Sequence, residues 1–198
     1  TTPSVSDFTA AYAGNTNFAG STSATESHSV DQAATATTIT SDAPDPSVVG
    51  QTVTFNYSVN VTAPGAGTPT GDVTVSNGTD SCTATVAAGS CTITFTAPGT
   101  TGFTAAYAGD TNFASSTSAA VFHSVDQAST ATTVTSDVPD PSVVGQTVTF
   151  NYTVNVVAPG AGTPTGDVTV SNGTDSCTAT VAAGSCTMTF TAPGTTNF

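Results

Sequence analysis

The chain predicts an all-β protein made of tandem two-layered sandwiches, about 95 residues per repeat. Three observations carry that reading. The first is a repeat. Phe8, Phe103 and Phe198 fall at one phase (103 − 8 = 95; 198 − 103 = 95). Ser41 to Phe103 returns from Ser136 to Phe198 with five changes over 63 positions: Ala43/Val138, Ser58/Thr153, Thr62/Val157, Ile93/Met188 and Gly102/Asn197. Thr1 to Val30 matches Thr96 to Val125 more loosely. Tandem near-copies mark an array of modules, which supplies length more readily than chemistry. The second observation is strict alternation of apolar and polar residues, the period of a strand with one dry face and one wet face. The third is punctuation by Gly, Pro and Asn at short, regular intervals, with no segment of helical periodicity.

In the middle repeat seven short strands follow in order. Thr35 to Ser41 places Thr37 and Ile39 on one face. Pro44-Asp45-Pro46 then forces a kink or a switch of sheet, because each proline removes a ladder donor. Thr52 to Val61 has the clearest alternation: Val53, Phe55, Tyr57, Val59 and Val61 face one side, and Thr52, Thr54, Asn56, Ser58 and Asn60 the other. Ala63 to Thr70 holds two prolines and two glycines and reads as a loop. Asp72 to Ser76 turns Val73 and Val75 inward, and Asn77-Gly78 is a turn. Cys82 to Val86 and Cys91 to Thr96 read as a hairpin with Ala84, Val86, Ile93 and Phe95 inward. Phe103 to Ala108 buries Phe103, Ala105 and Tyr107, and Gly109 to Phe113 turns the chain. Thr117 to Val125 comes last. Its inward face is ambiguous, since Val121 and Phe122 stand where the first copy has Glu26 and Ser27, and an edge strand is expected. The expected core is Val53, Phe55, Tyr57, Ile93, Phe95, Phe103 and Tyr107.

Composition narrows the partners. There is no Lys or Arg against 13 acidic residues, a net charge of −13. A chain with no fixed cation cannot neutralise phosphates, so nucleic acid is not an expected partner. Anionic membrane surfaces are excluded on the same ground, and no apolar run approaches the ~20 residues of a membrane span. Solubility falls to Thr, Ser, Asn and Gly. Thr1 begins inside a repeat, so no signal peptide is visible, as expected for a piece of mature exported material.

Each full phase carries two cysteines, Cys82 with Cys91 and Cys177 with Cys186. The even count and identical spacing suggest intra-repeat disulfides and an oxidising compartment. A tight hairpin at Ala88-Gly89 would put Cys82 about 13 Å along the strand from Cys91, too far to bridge. Either the turn is wider than it looks, or Cys82 sits on a bend after Asn77-Gly78.

Three phrases carry a family resemblance: Pro46-Ser47-Val48-Val49-Gly50-Gln51-Thr52-Val53-Thr54-Phe55, Gly67-Thr68-Pro69-Thr70-Gly71-Asp72-Val73-Thr74-Val75, and Tyr107-Ala108-Gly109-Asp110-Thr111-Asn112-Phe113. They resemble the bacterial immunoglobulin-like repeats of large surface proteins. The likeness spans the chain. It implies tandem immunoglobulin-like β-sandwiches, outside the cell or at its surface, serving in adhesins, stalks and fibres, and it implies no enzyme. The absence of Lys and Arg departs from many members.

The expected domain pattern follows the phase of the repeat. Residues 1–31 supply the last two strands of one sandwich, 32–126 a complete sandwich, and 127–198 the first five strands of another. The next stretch of a longer covalent array would complete the remnants, the reading favoured by near-identical copies. Alternatively, neighbouring subunits join head to tail by strand donation. Either gives a linear fibre, each repeat adding roughly 40 Å. The alternative to a structural role is an adhesive module for a sugar or surface receptor, for which Phe18 and Phe113 are the available aromatic hints.

Candidate chemistry is sparse. His28 and His123 occupy one phase, one per repeat, and read as surface or packing residues. No cofactor is expected. Asp31, Asp42, Asp45, Asp126, Asp137 and Asp140 gather near repeat junctions and could hold calcium through loop oxygens, but turn and cap duties explain Asp there too. Asn56, Asn60, Asn77, Asn151 and Asn172 each open an Asn-x-Ser/Thr triplet. Of these Asn56, Asn60 and Asn151 fall on the wet face and are candidate glycan acceptors.

Overall fold

The computed structural model describes residues 4–194, and apart from one 3₁₀ turn at Val181–Ala183 its regular elements are all strands. Contacts group the described residues into two units: 4–46 with 52–93 and 100–124, and 125–194 with the short segments 47–51 and 94–99.

The complete sandwich has two sheets. The smaller is ordered β10-β7-β5, from Ser90–Thr94, Thr52–Val61 and Thr35–Ala43. The larger is ordered β6-β13-β11-β8-β9, from Ser47–Val48, Val121–Asp126, Gly99–Tyr107, Asp72–Ser76 and Ser81–Thr85, with β12 (Ser116–Thr117) on β11. Alternation sets what each strand buries. On β7 it is Val53, Phe55, Tyr57 and Val59; on β8, Val73 and Val75; on β11, Phe103, Ala105 and Tyr107. All seven expected core residues are buried. Phe55 of the small sheet lies 4.8 Å from Phe103 and 5.9 Å from His123 of the large one, ring centre to ring centre, so the two layers meet through aromatic contacts. Each such fully buried side chain contributes about 1.5–3 kcal/mol of transfer free energy.

Two expectations about elements are corrected. Cys82 to Val86 and Cys91 to Thr96 do not form a hairpin. The first pairs with β8 in the large sheet and the second with β7 in the small one, so residues 86–89 cross between layers. Two adjoining segments that alternate in the same phase look alike whether they pair or face each other across a core. The last strand, β13, is not an edge either. It lies between β11 and the two-residue β6, which runs parallel to it with Val125 opposite Ser47. Its inward residues are His123 and Val125, and Phe122 points out. Of the kink or switch expected at Pro44-Asp45-Pro46, the structure has the switch: β5 belongs to the small sheet and β6 to the large one.

Tyr57 fastens the crossing segment. Its hydroxyl donates to the Thr85 carbonyl at 2.9 Å and its amide to Gly89 O at 2.9 Å. Burial, then the Asp72 charge, push this phenol's pKa up. Tyr107 is equally enclosed but its hydroxyl meets no acceptor in bonding geometry. Burial, then the charge of Asp110 and the approach of its side chain to the hydroxyl, short of good hydrogen-bond geometry, raise its pKa too. Tyr57→Phe is therefore expected to cost about 1–2 kcal/mol by orphaning a carbonyl, and Tyr107→Phe less than about 0.5 kcal/mol, measured by urea unfolding of the two variants. Equal losses would contradict the assignment.

The second unit repeats the plan in part. Its sheets are β14-β15-β18 (Thr130–Val138, Thr147–Val156, Ser185–Thr189) and β16-β17 (Asp167–Ser171, Ser176–Thr180). Val148, Phe150, Tyr152, Val170, Cys186 and Met188 form its core. Each of these strands has bounds 95 residues beyond its counterpart in the complete repeat. In the first copy, β1 (Ser4–Phe8) pairs with β4 (Glu26–Val30), and β2 (Ala11–Tyr12) with β3 (Ser21–Thr22); every residue of these strands is exposed.

Candidate functional site

The strongest local constructions are ties between layers. Cys82 sits on β9, an outer strand of the large sheet, and Cys91 on β10, an outer strand of the small one. Because the chain crosses between layers here, the two Cα atoms come within 5.8 Å and the disulfide forms. Cys177–Cys186 repeats it, again at 5.8 Å. Facing strands resolve the distance problem that a hairpin would have posed. The bond closes one side of the sandwich, while on the other side the chain itself passes between sheets at Pro44-Asp45-Pro46.

That second side holds a polar cluster. Pro44 and Pro46 both follow cis peptide bonds, and the acids beside them turn toward β13. His123 is fully buried, and its Nδ1 lies 2.9 Å from Asp42 Oδ2 and 3.4 Å from Asp45 Oδ1. Asp45 Oδ1 also accepts the Ser124 amide at 3.1 Å. With the proton on Nδ1, His123 donates to Asp42, and the pair clamps the strand switch to the last strand. Among the described residues this is the one grouping of three His, Cys, Asp or Glu side chains whose ligand atoms lie close enough to share an ion. Its atoms are two carboxylate oxygens and a nitrogen, and one oxygen already holds hydrogen-bond distance to that nitrogen. Calcium favours six to eight oxygens, so direct bonding accounts for this set more simply than that ion does.

Of the calcium candidates the structure thus brings together Asp42 and Asp45. Asp31 and Asp126 are exposed and outside the cluster. Asp137 and Asp140 occupy the Asp42 and Asp45 positions of the second unit, where no described residue stands in for His123. Sequence reasoning missed the histidine. The available signal was its phase with Val125 on one strand face, and its recurrence with the proline-flanked acids. Among the glycan candidates, Asn60 is exposed, whereas Asn56 and Asn151 are half-buried. Asn56 and Asn151 each donate their amide nitrogen, at 2.9 Å, to Ser41 and Ser136 on the neighbouring strand. Phe113 is no exposed aromatic: it is buried against Gly67, whose backbone (φ 127°) would bring a Cβ within 2.8 Å of the ring. Phe18, its counterpart in the first copy, is exposed.

The turn before Phe113 is held by Asp110. One oxygen accepts the Thr70 hydroxyl and amide at 2.7 and 2.9 Å; the other accepts the amides of Asn112 and Phe113 at 2.8 and 2.9 Å. Four donors stabilise the charged form, the Thr70 hydroxyl most, and hold this carboxyl well below its ordinary value of 3.8. A depressed folded-state pKa adds stability that is complete above the ordinary value and fades as pH falls toward the folded one. Asp110→Asn is expected to lower the melting temperature near pH 7, and that deficit relative to wild type is expected to shrink progressively as pH falls below about 4. A deficit independent of pH would contradict the charge-based account. The first copy has Asn15 at this place, which still accepts the Asn17 and Phe18 amides at 2.9 and 3.0 Å.

Among known families, the model described as bacterial Ig-like domain (group 3) matches residues 39–126. No curated protein and no solved structure matches the chain significantly. The matched range covers most of the complete sandwich, including both ties. Among the described residues no helix is long and apolar enough to cross a membrane.

Proposed function

Because residues 39–126 belong to the bacterial Ig-like domain family, we propose that the protein is a structural module of an extracellular filament or cell-surface stalk, joined head to tail with its like. The observation that carries this reading is the recurrence of one plan: five strands and a cross-layer disulfide reappear 95 residues on with the same bounds. Near-identical stapled units in series suit a part that spans distance and withstands exposure. The disulfides fit an oxidising site outside the cytoplasm, and the family fits a surface module. The proposed work of the conserved-by-repetition residues is mechanical. Cys82 with Cys91 and His123 with Asp42 keep the layers registered, and the aromatic core resists their separation.

The test is immunogold electron microscopy of the source cells with antibody raised to the purified chain. Label along thin filaments or stalks, with an axial period of roughly 40 Å or a small multiple, is the expected result. Label confined to the cell interior, or to discrete globular particles, would overturn the reading.

A further inference from the structure

The chain has no Lys or Arg, so histidine is the one side-chain type that can offer a carboxylate a positive charge. Inside the complete sandwich two carboxylates converge on one histidine, and all three residues belong to the same unit. His123 is fully buried on β13, the Asp42 side chain is 11% exposed, and the Asp45 side chain, between the two prolines, is 39% exposed. The imidazole forms the floor of the group, and Asp45 faces water. Nδ1 stands 2.9 Å from Asp42 Oδ2 and 3.4 Å from Asp45 Oδ1. Ligand atoms about 2.1 Å from one ion at tetrahedral angles stand about 3.4 Å apart. The Asp45 oxygen is at that separation already, and the Asp42 oxygen reaches it by withdrawing about half an ångström. The Ser124 amide, 3.1 Å from Asp45 Oδ1, supplies the outer hydrogen bond that orients a ligating carboxylate.

We propose that Asp42, Asp45 and His123 bind one divalent transition-metal ion of the zinc class. The ligands are Nδ1 and one oxygen from each carboxylate, with water in the fourth position on the Asp45 side. Three protein ligands and a water is a zinc pattern. Imidazole nitrogen suits zinc, nickel and copper, whereas calcium and magnesium favour oxygen alone. On binding, the ring keeps its single proton on Nε2 and turns the Nδ1 lone pair to the ion. Charge favours the exchange. A hydrogen bond from Nδ1 occupies one carboxylate oxygen but leaves two negative side chains against a neutral ring, and a divalent ion offsets both. The net charge of −13 also raises the cation concentration at the surface. The bound ion joins β13 of the large sheet to the segment leaving β5 of the small one, so it ties the layers on the side away from the disulfide. The second unit supplies an internal control. Asp137 and Asp140 repeat the two acids, and among the described residues no histidine stands with them.

Calorimetric titration of the untagged, oxidised full chain with zinc chloride, after treatment with a chelator and its removal, tests the site. All four cysteines are in disulfides, so no thiolate competes for the ion. One ion per chain is expected, with a Kd of about 10 µM or tighter. Zinc at about a hundred times Kd should raise the melting temperature of the complete sandwich by about 5 °C or more. Calcium and magnesium at the same concentration should leave it unchanged. Asp45→Asn keeps an oxygen for the Ser124 amide but loses the charge, and zinc affinity is expected to fall at least about tenfold. His123→Gln should abolish binding; if that buried change unfolds the sandwich, Asp45→Asn decides. Asp140→Asn and His28→Gln are the controls and should bind as wild type does. A Kd weaker than about 1 mM, two or more equivalent ions per chain, or zinc affinity unchanged in Asp45→Asn would each overturn the site. The three ligands lie within one sandwich, so none of these results bears on filament assembly.

Discussion

Phe103→Ala is expected to destabilise the complete sandwich by about 3–5 kcal/mol, and the same change at Phe8 to have almost no effect on the dilute chain. The two residues occupy one phase of the repeat, yet Phe103 is buried against Phe55 while Phe8 stands in solvent beside His28. Removing a buried ring loses its transfer free energy and leaves a cavity that packed neighbours only partly fill. Removing an exposed one forfeits little. Chemical denaturation of the two variants, followed by tyrosine fluorescence or circular dichroism, measures the contrast. A small loss at Phe103 would mean that the two layers are not joined through this contact.

Breaking the Cys82–Cys91 bond is expected to cost about 2–3 kcal/mol and to lower the melting temperature of that sandwich by roughly 10–20 °C. The partners are nine residues apart in sequence, so the loop entropy removed from the unfolded chain is modest. The native geometry adds a second role, because the bond joins the outer strands of opposite sheets where no backbone ladder connects them. Cys82→Ser/Cys91→Ser and reduction of the wild type should give the same loss. Removing Cys177–Cys186 should act on the second unit instead, and the two effects should add. No loss in either variant would show that the crossing segment holds without the bond.

Much of this fold was legible because alternation is a one-dimensional signal. Val53 to Val59, Val73 with Val75, and Phe103 to Tyr107 each declare their inward face by period two, and the structure buries the residues so marked. The prolines at 44 and 46 marked a kink or a change of sheet, and the structure has the change of sheet. Alternation does not say which strand is neighbour to which. That is why Cys82 to Val86 and Cys91 to Thr96 read as a hairpin when the segments belong to opposite layers. Pairing is set by the whole sheet, and a crossing of four residues leaves little trace in composition. The expected edge at Thr117 to Val125 failed for a related reason. Two residues, Ser47 and Val48, pair with the end of that strand at Val125 and Asp126, and a two-residue strand has no period to detect. The His123 cluster was hidden because its members come from positions 42, 45 and 123, which only the tertiary fold brings together. The disulfide pairing was suggested by the even count and identical spacing, but the hairpin reading set the two cysteines too far apart, and the crossing between layers resolves that conflict.

The claim beneath these results is that the 95-residue unit folds as one body whose front five strands and closing strands need each other. Hydrogen exchange read by mass spectrometry, on the oxidised chain kept dilute, tests it most directly. Peptides from 99–125 should be protected together with those from 35–94, and their near-copies from 4–30 should exchange roughly a hundredfold faster or more. Equal protection of 4–30 and 99–125 in the dilute chain would contradict it.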